Sequence, residues 1–310
     1  MRHFGSAMAA SALIFSTLAA PAHADTEIIT PSSEITFDNI YASHVRFDHL
    51  NRAWIWNTVY TDDPATQPRL AIFAESSGSW SRVQTVSAKK LTVKNLRFGT
   101  DGTAYATNFT KNEIVTWPVG ETGTVGKAQR FRIKGRERPI EAFPNSTGSL
   151  FVLFSTRIAE FSLPLHKHPR PIRTIKSDLG NSPSPQLVAG ADGTIYVLQG
   201  DSYLAPILIF DPGLSGRVDH SRTLLIDSGV AYQSATDIAL TPDGDVAVVY
   251  WTDGVAIFDP TSSGTMVTPA KWYPRSSPLA NPRGVDFMSN GTMGVADYVE
   301  DTSVKVYFEE

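Results

Sequence analysis

The sequence predicts an all-β fold: a six-bladed β-propeller, four antiparallel strands per blade, with its ring closed by the N-terminal strand. Three observations carry that expectation. A hairpin pattern recurs six times, a large aromatic ring falls at one place in every copy, and a spare strand at the N-terminus matches a missing strand at the C-terminus.

The copies are "HVRFDHLNRAWIWN", "NLRFGTDGTAYATN", "EAFPNSTGSLFVLF", "QLVAGADGTIYVLQ", "DIALTPDGDVAVVY" and "GVDFMSNGTMGVAD". Their turns centre on Asn51, Gly102, Gly148, Gly193, Gly244 and Gly291, spaced 45 to 51 residues apart. Asn and Gly supply the positive φ that tight hairpins need. A third strand follows each hairpin and carries Phe73, Trp117, Phe161, Phe210, Phe258 or Tyr307. A large ring at one fixed position fills the gap between stacked, wedge-shaped sheets. A fourth strand comes next, as in "WSRVQTV", "QRFRIK", "PIRTIK" and "RTLLID". Four strands in a repeat of this length make a propeller blade, whereas paired β-sandwiches require no fixed long period. The last copy stops after its third strand, and "TEIIT" at residues 26–30 has no hairpin of its own, so it is expected to complete the last blade. Helices are not expected: 20 Pro and 22 Gly punctuate the chain, and no apolar stripe of helical period persists.

Residues 1–24 read as a signal peptide. Arg2 and His3 precede an apolar run from Ala7 to Ala20, and Ala22-His23-Ala24 has the small-x-small form that signal peptidase reads. The leader's style is bacterial, so the mature domain, residues 25–310, is expected in the periplasm or secreted. No further stretch is long and apolar enough for a membrane span. The chain has no cysteine, which excludes disulfides, thiolate metal sites and cysteine nucleophiles. Its net charge of −4 gives no sign of nucleic-acid binding.

The last copy, "NPRGVDFMSNGTMGVADYVEDTSVKVYF", resembles an NHL repeat through Pro282, Gly284, Val285, Gly291, Val295, Ala296, Asp297 and Tyr307. The other copies are similar in outline. The resemblance extends to the wider six-bladed group that includes gluconolactonase-like and paraoxonase-like calcium enzymes. It implies a fold, and fold alone does not imply function.

Function is expected at the mouth of the central channel, where each repeat's first strand begins. Seven positions before each turn anchor stand His44, Asn95, Glu141, Gln186, Asp237 and Gly284. Six positions after each stand Asn57, Asn108, Phe154, Gln199, Tyr250 and Asp297, expected as their partners across the hairpin. The next column inward, Val45, Leu96, Ala142, Leu187, Ile238 and Val285, is apolar. NHL-like repeats put Gly in the first column, and five polar residues replace it here. Convergent polar groups rimming a concavity make a ligand site for a small molecule, glycan or protein. The competing reading is that each side chain caps its own hairpin, and for the column of Asp297 capping is preferred.

The gluconolactonase-like resemblance implies Ca²⁺ or a similar hard cation held by carboxylate and amide oxygens one position before the Gly column. Here that column reads Ser43, Lys94, Ile140, Pro185, Thr236 and Arg283, with no carboxylate and two cations. A binding or scaffold module is therefore preferred. A metal-dependent lactone or ester hydrolase is the alternative, with a shifted site of Glu141, Asn95, Asp237 and Asn57. The insertion "TVYTDDPATQPR" is expected to overhang the mouth with Tyr60, Asp62 or Asp63. Arg130, Arg132 and Lys134 read as protection of an outer edge strand, His166 and His168 as solvated surface, and Trp54 and Trp56 as packing. No nucleophile elbow, zinc-protease motif or phosphate loop occurs.

Overall fold

The computed structural model describes residues 33–38, 42–57, 69–87, 93–108, 110–135, 137–179, 182, 184–200, 205–226, 234–275, 279–299 and 303–309. These residues form strands and turns, with no helix among them. The leader, residues 26–30 and the insertion with Tyr60, Asp62 and Asp63 lie outside the described residues.

Each repeat folds onto itself because its turn anchors hold the positive φ that a hairpin demands: 56° at Asn51, and 77° to 94° at Gly102, Gly148, Gly193, Gly244 and Gly291. One strand precedes the first repeat, β1 (Ser33–Asp38). The first repeat makes β2 (Ala42–Phe47), β3 (Ala53–Asn57), β4 (Arg69–Ser76) and β5 (Ser79–Ser87). The second makes β6 (Val93–Phe98), β7 (Ala104–Asn108), β8 (Glu113–Trp117) and β9 (Gln129–Arg132). The third makes β10 (Glu141–Pro144), β11 (Ser149–Leu153), β12 (Arg157–Ser162) and β13 (Arg173–Lys176). The fourth makes β14 (Ser184–Ala189), β15 (Ile195–Gly200), β16 (Ile207–Phe210), a two-residue β17 (Gly216–Arg217) and β18 (Arg222–Ile226). The fifth makes β19 (Ala235–Leu240), β20 (Val246–Tyr250), β21 (Gly254–Phe258), β22 (Gly264–Val267) and β23 (Lys271–Pro274). The last makes β24 (Pro282–Phe287), β25 (Met293–Val299) and β26 (Ser303–Glu309).

The described strands form six sheets, each a run of antiparallel neighbours in chain order from its first strand outward. Two depart from the expected four strands. β17 pairs in parallel with β13, and β22 with β18, so each repeat's excursion before its last strand covers the outer edge of the preceding sheet. An exposed edge is a template for unwanted pairing, and a short parallel strand covers it.

The closing strand is also placed differently. β1 pairs along its whole length with β26, from Ser33 opposite Phe308 to Asp38 opposite Ser303. The N-terminal contribution to the last sheet is therefore residues 33–38, nearer the first repeat than the expected 26–30. "SEITFD" alternates as a half-buried strand does, with Ile35 inward.

Sheets stack face to face. First strands touch in the order β2, β6, β10, β14, β19, β24 and back to β2. Six apolar clusters lie between successive sheets, and the last joins Ile35, Ala296 and Phe308 to Val45, Ile55 and Phe73. The aromatic column supplies the wedges: Phe73, Trp117, Phe161, Phe210 and Phe258 are all buried. In the last copy the side chain of the expected Tyr307 lies outside the described residues; its neighbour Phe308 is buried in the cluster shared with the first sheet and stacks on Trp80 at 4.4 Å between centroids. Trp54 and Trp56 are wholly buried in the cluster between the first two sheets. The architecture is that of a β-propeller.

Candidate functional site at the channel mouth

The innermost strand of each sheet has one edge with no strand beside it. Its N–H and C=O groups are buried and still need partners. The polar side chains of β2, β6, β10, β14, β19 and β24 meet that need, and they do so between sheets.

Asp237 on β19 accepts from the backbone N–H of Val285 on β24 at 3.0 Å. Glu141 on β10 accepts from the N–H of Leu187 on β14. Asp286 on β24 accepts from the N–H of Phe47 on β2 at 2.7 Å. Each carboxylate thus caps a donor on another first strand. Gln186 does the converse, donating its amide to the carbonyl of Thr236 on β19.

Two buried arginines lock this arrangement. Arg46 grips both Asp237 oxygens in a fork, each contact 2.6 Å, and donates to the carbonyls of Val45 and Val285 at 2.8 and 2.9 Å. Arg97 on β6 bonds Glu141 at 3.0 Å and the carbonyl of Ile238 at 2.8 Å. In the order of first strands β6 and β19 stand opposite each other. The Arg97 guanidinium therefore spans the channel, and with Arg46 and the three carboxylates it forms a charged floor beneath the mouth.

The electrostatics follow from burial and pairing. Burial, the largest single influence, would raise the Asp237 pKa, but the Arg46 guanidinium and the nearby His44 together outweigh it and hold this carboxyl well below the usual range. Burial prevails at Glu141 and Asp286 and pushes both up, against the opposing pull of Arg97 on the first and Arg46 on the second. Burial also lowers the pKa of His44, so its imidazole is neutral at pH 7. Its Nδ1 is 3.9 Å from Asp237, too long for a hydrogen bond.

The mouth is the end at which the first strands begin. There the expected column stands at one level but divides by chemistry. Glu141 and Asp237 are fully engaged in the floor. His44, Asn95 and Gln186 are buried yet keep unpartnered atoms: Nδ1 of His44, Nδ2 of Asn95 and Oε1 of Gln186. Beside Gln186 the Thr236 hydroxyl is also buried and unpartnered; the Tyr250 phenol is unpartnered too, but its ring lies in the apolar cluster between the fourth and fifth sheets, against Trp272. None of the five caps its own hairpin in the expected way, although Asp237 also accepts from the adjacent N–H of Ile238.

The second column is displaced. His44 faces Trp56, Glu141 faces Leu153, Gln186 faces Leu198 and Asp237 faces Val249. Bulges then set Asn57 opposite Ala42, Asn108 opposite Val93 and Tyr250 opposite Ala235. A one-residue slip turns a side chain to the other face. Asn108 is accordingly bound locally, donating to Glu113 at 3.2 Å and accepting from Thr110 at 3.0 Å. Asp297 likewise accepts from the N–H groups of Ala280 and Asn281. The backbone of Asn57 lies in β3, and its side chain is outside the described residues.

Sequence reasoning missed Arg46, Arg97 and Asp286. They stand two positions beyond the mouth column on the same strand face, so the period of two could have found them. The channel does not turn apolar directly below the mouth, as the neighbouring column suggested.

The shifted metal site does not fit. Asp237 spends both oxygens on Arg46, Glu141 is taken by Arg97 and Leu187, and two guanidinium charges adjoin them. A cation would have to displace these partners and withstand the repulsion. No cluster of metal-ligating side chains occurs among the described residues.

No protein-family model matches the chain, and no curated protein matches it. Solved structures do. A streptogramin B lyase is 12% identical with a TM-score of 0.53, covering 89% of this chain and 98% of its own. A protein described as a putative 6-phosphogluconolactonase from Bacteroides fragilis is 18% identical with a TM-score of 0.55, covering 92% and 81%. The WD40 propeller domain of Doa1 is 15% identical with a TM-score of 0.51, covering 90% and 96%. At such identities the likeness shows the fold alone, and all three agree on a β-propeller.

Proposed function

We propose that this chain is an exported β-propeller of six NHL-like blades in one ring, acting as a binding or scaffold module through its channel mouth. The observation that carries the reading is a set of buried polar atoms without partners at the mouth, on His44, Asn95, Gln186 and Thr236, above a floor in which Asp237 and Glu141 are paired with arginine and only Arg46 Nε lacks a partner. Buried polar groups are nearly always paired, so an unpaired set in one place invites a ligand. Asp237 and Glu141 are already committed to arginine and backbone N–H groups, which favours binding over metal-assisted hydrolysis.

Six sheets, and six apolar clusters that run round to the first sheet again, support the ring. Removing residues through Asp38 takes β1 from the last sheet and should cost several kcal/mol by urea unfolding, roughly 25 cal/mol per Å² of apolar surface exposed. Stability unchanged by that truncation argues against closure by β1. Export rests on the leader, and N-terminal sequencing of protein recovered outside the cytoplasm tests it.

A soluble-fragment screen read by crystallography tests the mouth. Fragments are expected against Asn95 and Gln186. Consistent settling in the groove of about 440 Å³ between Leu50, Trp80 and Met288, or in the cleft of about 700 Å³ by Arg157 and Arg217, would move the site elsewhere.

A further inference from the structure

We infer that the mouth takes a neutral polyhydroxyl ligand, a saccharide, with Trp251 as its stacking platform. This rests on the mouth reading above and adds the chemical class of the ligand.

The first ground is charge. The carboxylates of Glu141 and Asp237 and the guanidiniums of Arg46 and Arg97 all face opposite charge or backbone already. The imidazole at the rim is neutral at pH 7. A phosphate would meet no unspent guanidinium in this set, and of the three floor carboxylates only Asp286, bonded to the Phe47 N–H, has no arginine within ion-pair distance.

The second ground is the balance of donors and acceptors. Asn95 Nδ2 can only donate, and Gln186 Oε1 can only accept. The hydroxyl of Thr236 can do either, the free nitrogen of His44 follows its tautomer, and Arg46 Nε and the Trp56 indole N–H add two donors. A phosphate would satisfy only the donors and an ammonium only the acceptors. A sugar hydroxyl donates and accepts together, so adjacent hydroxyls can answer both.

The third ground is the rim. Trp251 follows Tyr250 at the mouth end of β20, and its N–H bonds the carbonyl of Ser234 just before β19. It is 38% exposed and the one aromatic ring among the exposed large apolar side chains of the described residues. Its indole is held by Asn281 at 3.2 Å and by the Arg283 guanidinium 4.2 Å from the ring centroid. A fixed, partly open indole at the mouth end of β20 suits the apolar C–H face of a pyranose.

The test is calorimetric titration and tryptophan fluorescence of the full mature chain. Neutral mono- and disaccharides are the probes, with sugar phosphates, uronic acids and amino sugars as charged controls. Neutral sugars should bind, and Asn95→Leu and Gln186→Met should each weaken them roughly tenfold, the worth of one hydrogen bond. Trp251→Ala, an exposed position that leaves the fold intact, should weaken binding while Trp251→Phe retains it. Charged controls that bind tighter than their neutral parents, still dependent on Asn95, would overturn the ligand class and keep the mouth. Sugar binding indifferent to all four variants would overturn the mouth. No binding, with ordered water on Asn95 and Gln186 at high resolution, would overturn the inference, because those atoms would then be hydration sites.

Discussion

The floor and the rim of the channel are neighbours on the same strands, yet they follow opposite rules. In the floor, Arg46 and Arg97 meet Asp237 and Glu141, and these two carboxylates and Asp286 each cap a backbone N–H. At the rim, His44, Asn95 and Gln186 are almost as deeply buried and keep atoms without partners. The carboxylates of the floor find partners that the rim amides lack, although Arg46 Nε in the floor is unpartnered as well. Identity in one sequence column therefore does not mean identity of role: Asp237 and Asn95 share a column and lie on opposite sides of this division.

The largest effect should follow from breaking the floor. Asp237→Asn leaves the Arg46 guanidinium buried without its counter-charge and should cost about 3–5 kcal/mol in urea unfolding. Replacing both partners, Arg46→Met with Asp237→Leu, should recover much of that loss, since apolar groups do not need the pairing. If Asp237→Asn unfolds like the native chain, the floor is not structural.

Acid should act next, and it acts in two directions. His44 has a lowered pKa in the fold, so the unfolded chain binds its proton more readily. Stability should fall as pH drops below about 6.5, the ordinary histidine value, toward the folded pKa. Glu141 and Asp286 have raised values, so their contribution is present below the ordinary carboxylate range and is lost as pH rises through their folded pKa. Asp237, held low, contributes above the ordinary value and loses that contribution only as pH falls through its folded pKa. Melting curves from pH 5 to 7.5 should show a downward slope with acid that His44→Gln reduces. A slope unaltered by that substitution would assign it to other groups.

A smaller change is expected at the rim. Asn95→Leu removes an unpaired buried amide at similar volume and should alter stability by about 1 kcal/mol or less. A loss as large as that of Asp237→Asn would place Asn95 in the floor. Smallest of all is the response to metal. Millimolar Ca²⁺ or Zn²⁺ should leave the melting temperature unchanged, because the carboxylates are already committed to arginine; a specific rise would revive the metal-hydrolase alternative.

Much of the fold was legible because it depends on local chemistry repeated in register. The turn anchors need positive φ, alternating strands need one buried face, and each copy carries a wedge-shaped ring, so the hairpins and their interfaces could be read residue by residue. Exceptions came where one strand's partner lies outside its own repeat. β1 proved to be residues 33–38, and β17 and β22 appeared on edges owned by other sheets.

At the mouth the sequence showed which residue types gather at one level, and its period of two already held Arg46, Arg97 and Asp286. It could not show that the hairpin register pairs His44 with Trp56, Glu141 with Leu153 and Gln186 with Leu198, one residue short of the expected partners. Nor could it show who pairs with whom. By itself the sequence determined the repeat, the hairpins and the polar column, because those follow from backbone preference and side-chain alternation along one strand. Only the tertiary structure decided which members of that column are spent on the ring and which remain open. Arg46 reaches a carboxylate 191 residues away and Arg97 a carbonyl 141 residues away. Contacts at such separations depend on how the sheets meet around the channel, which no local pattern encodes.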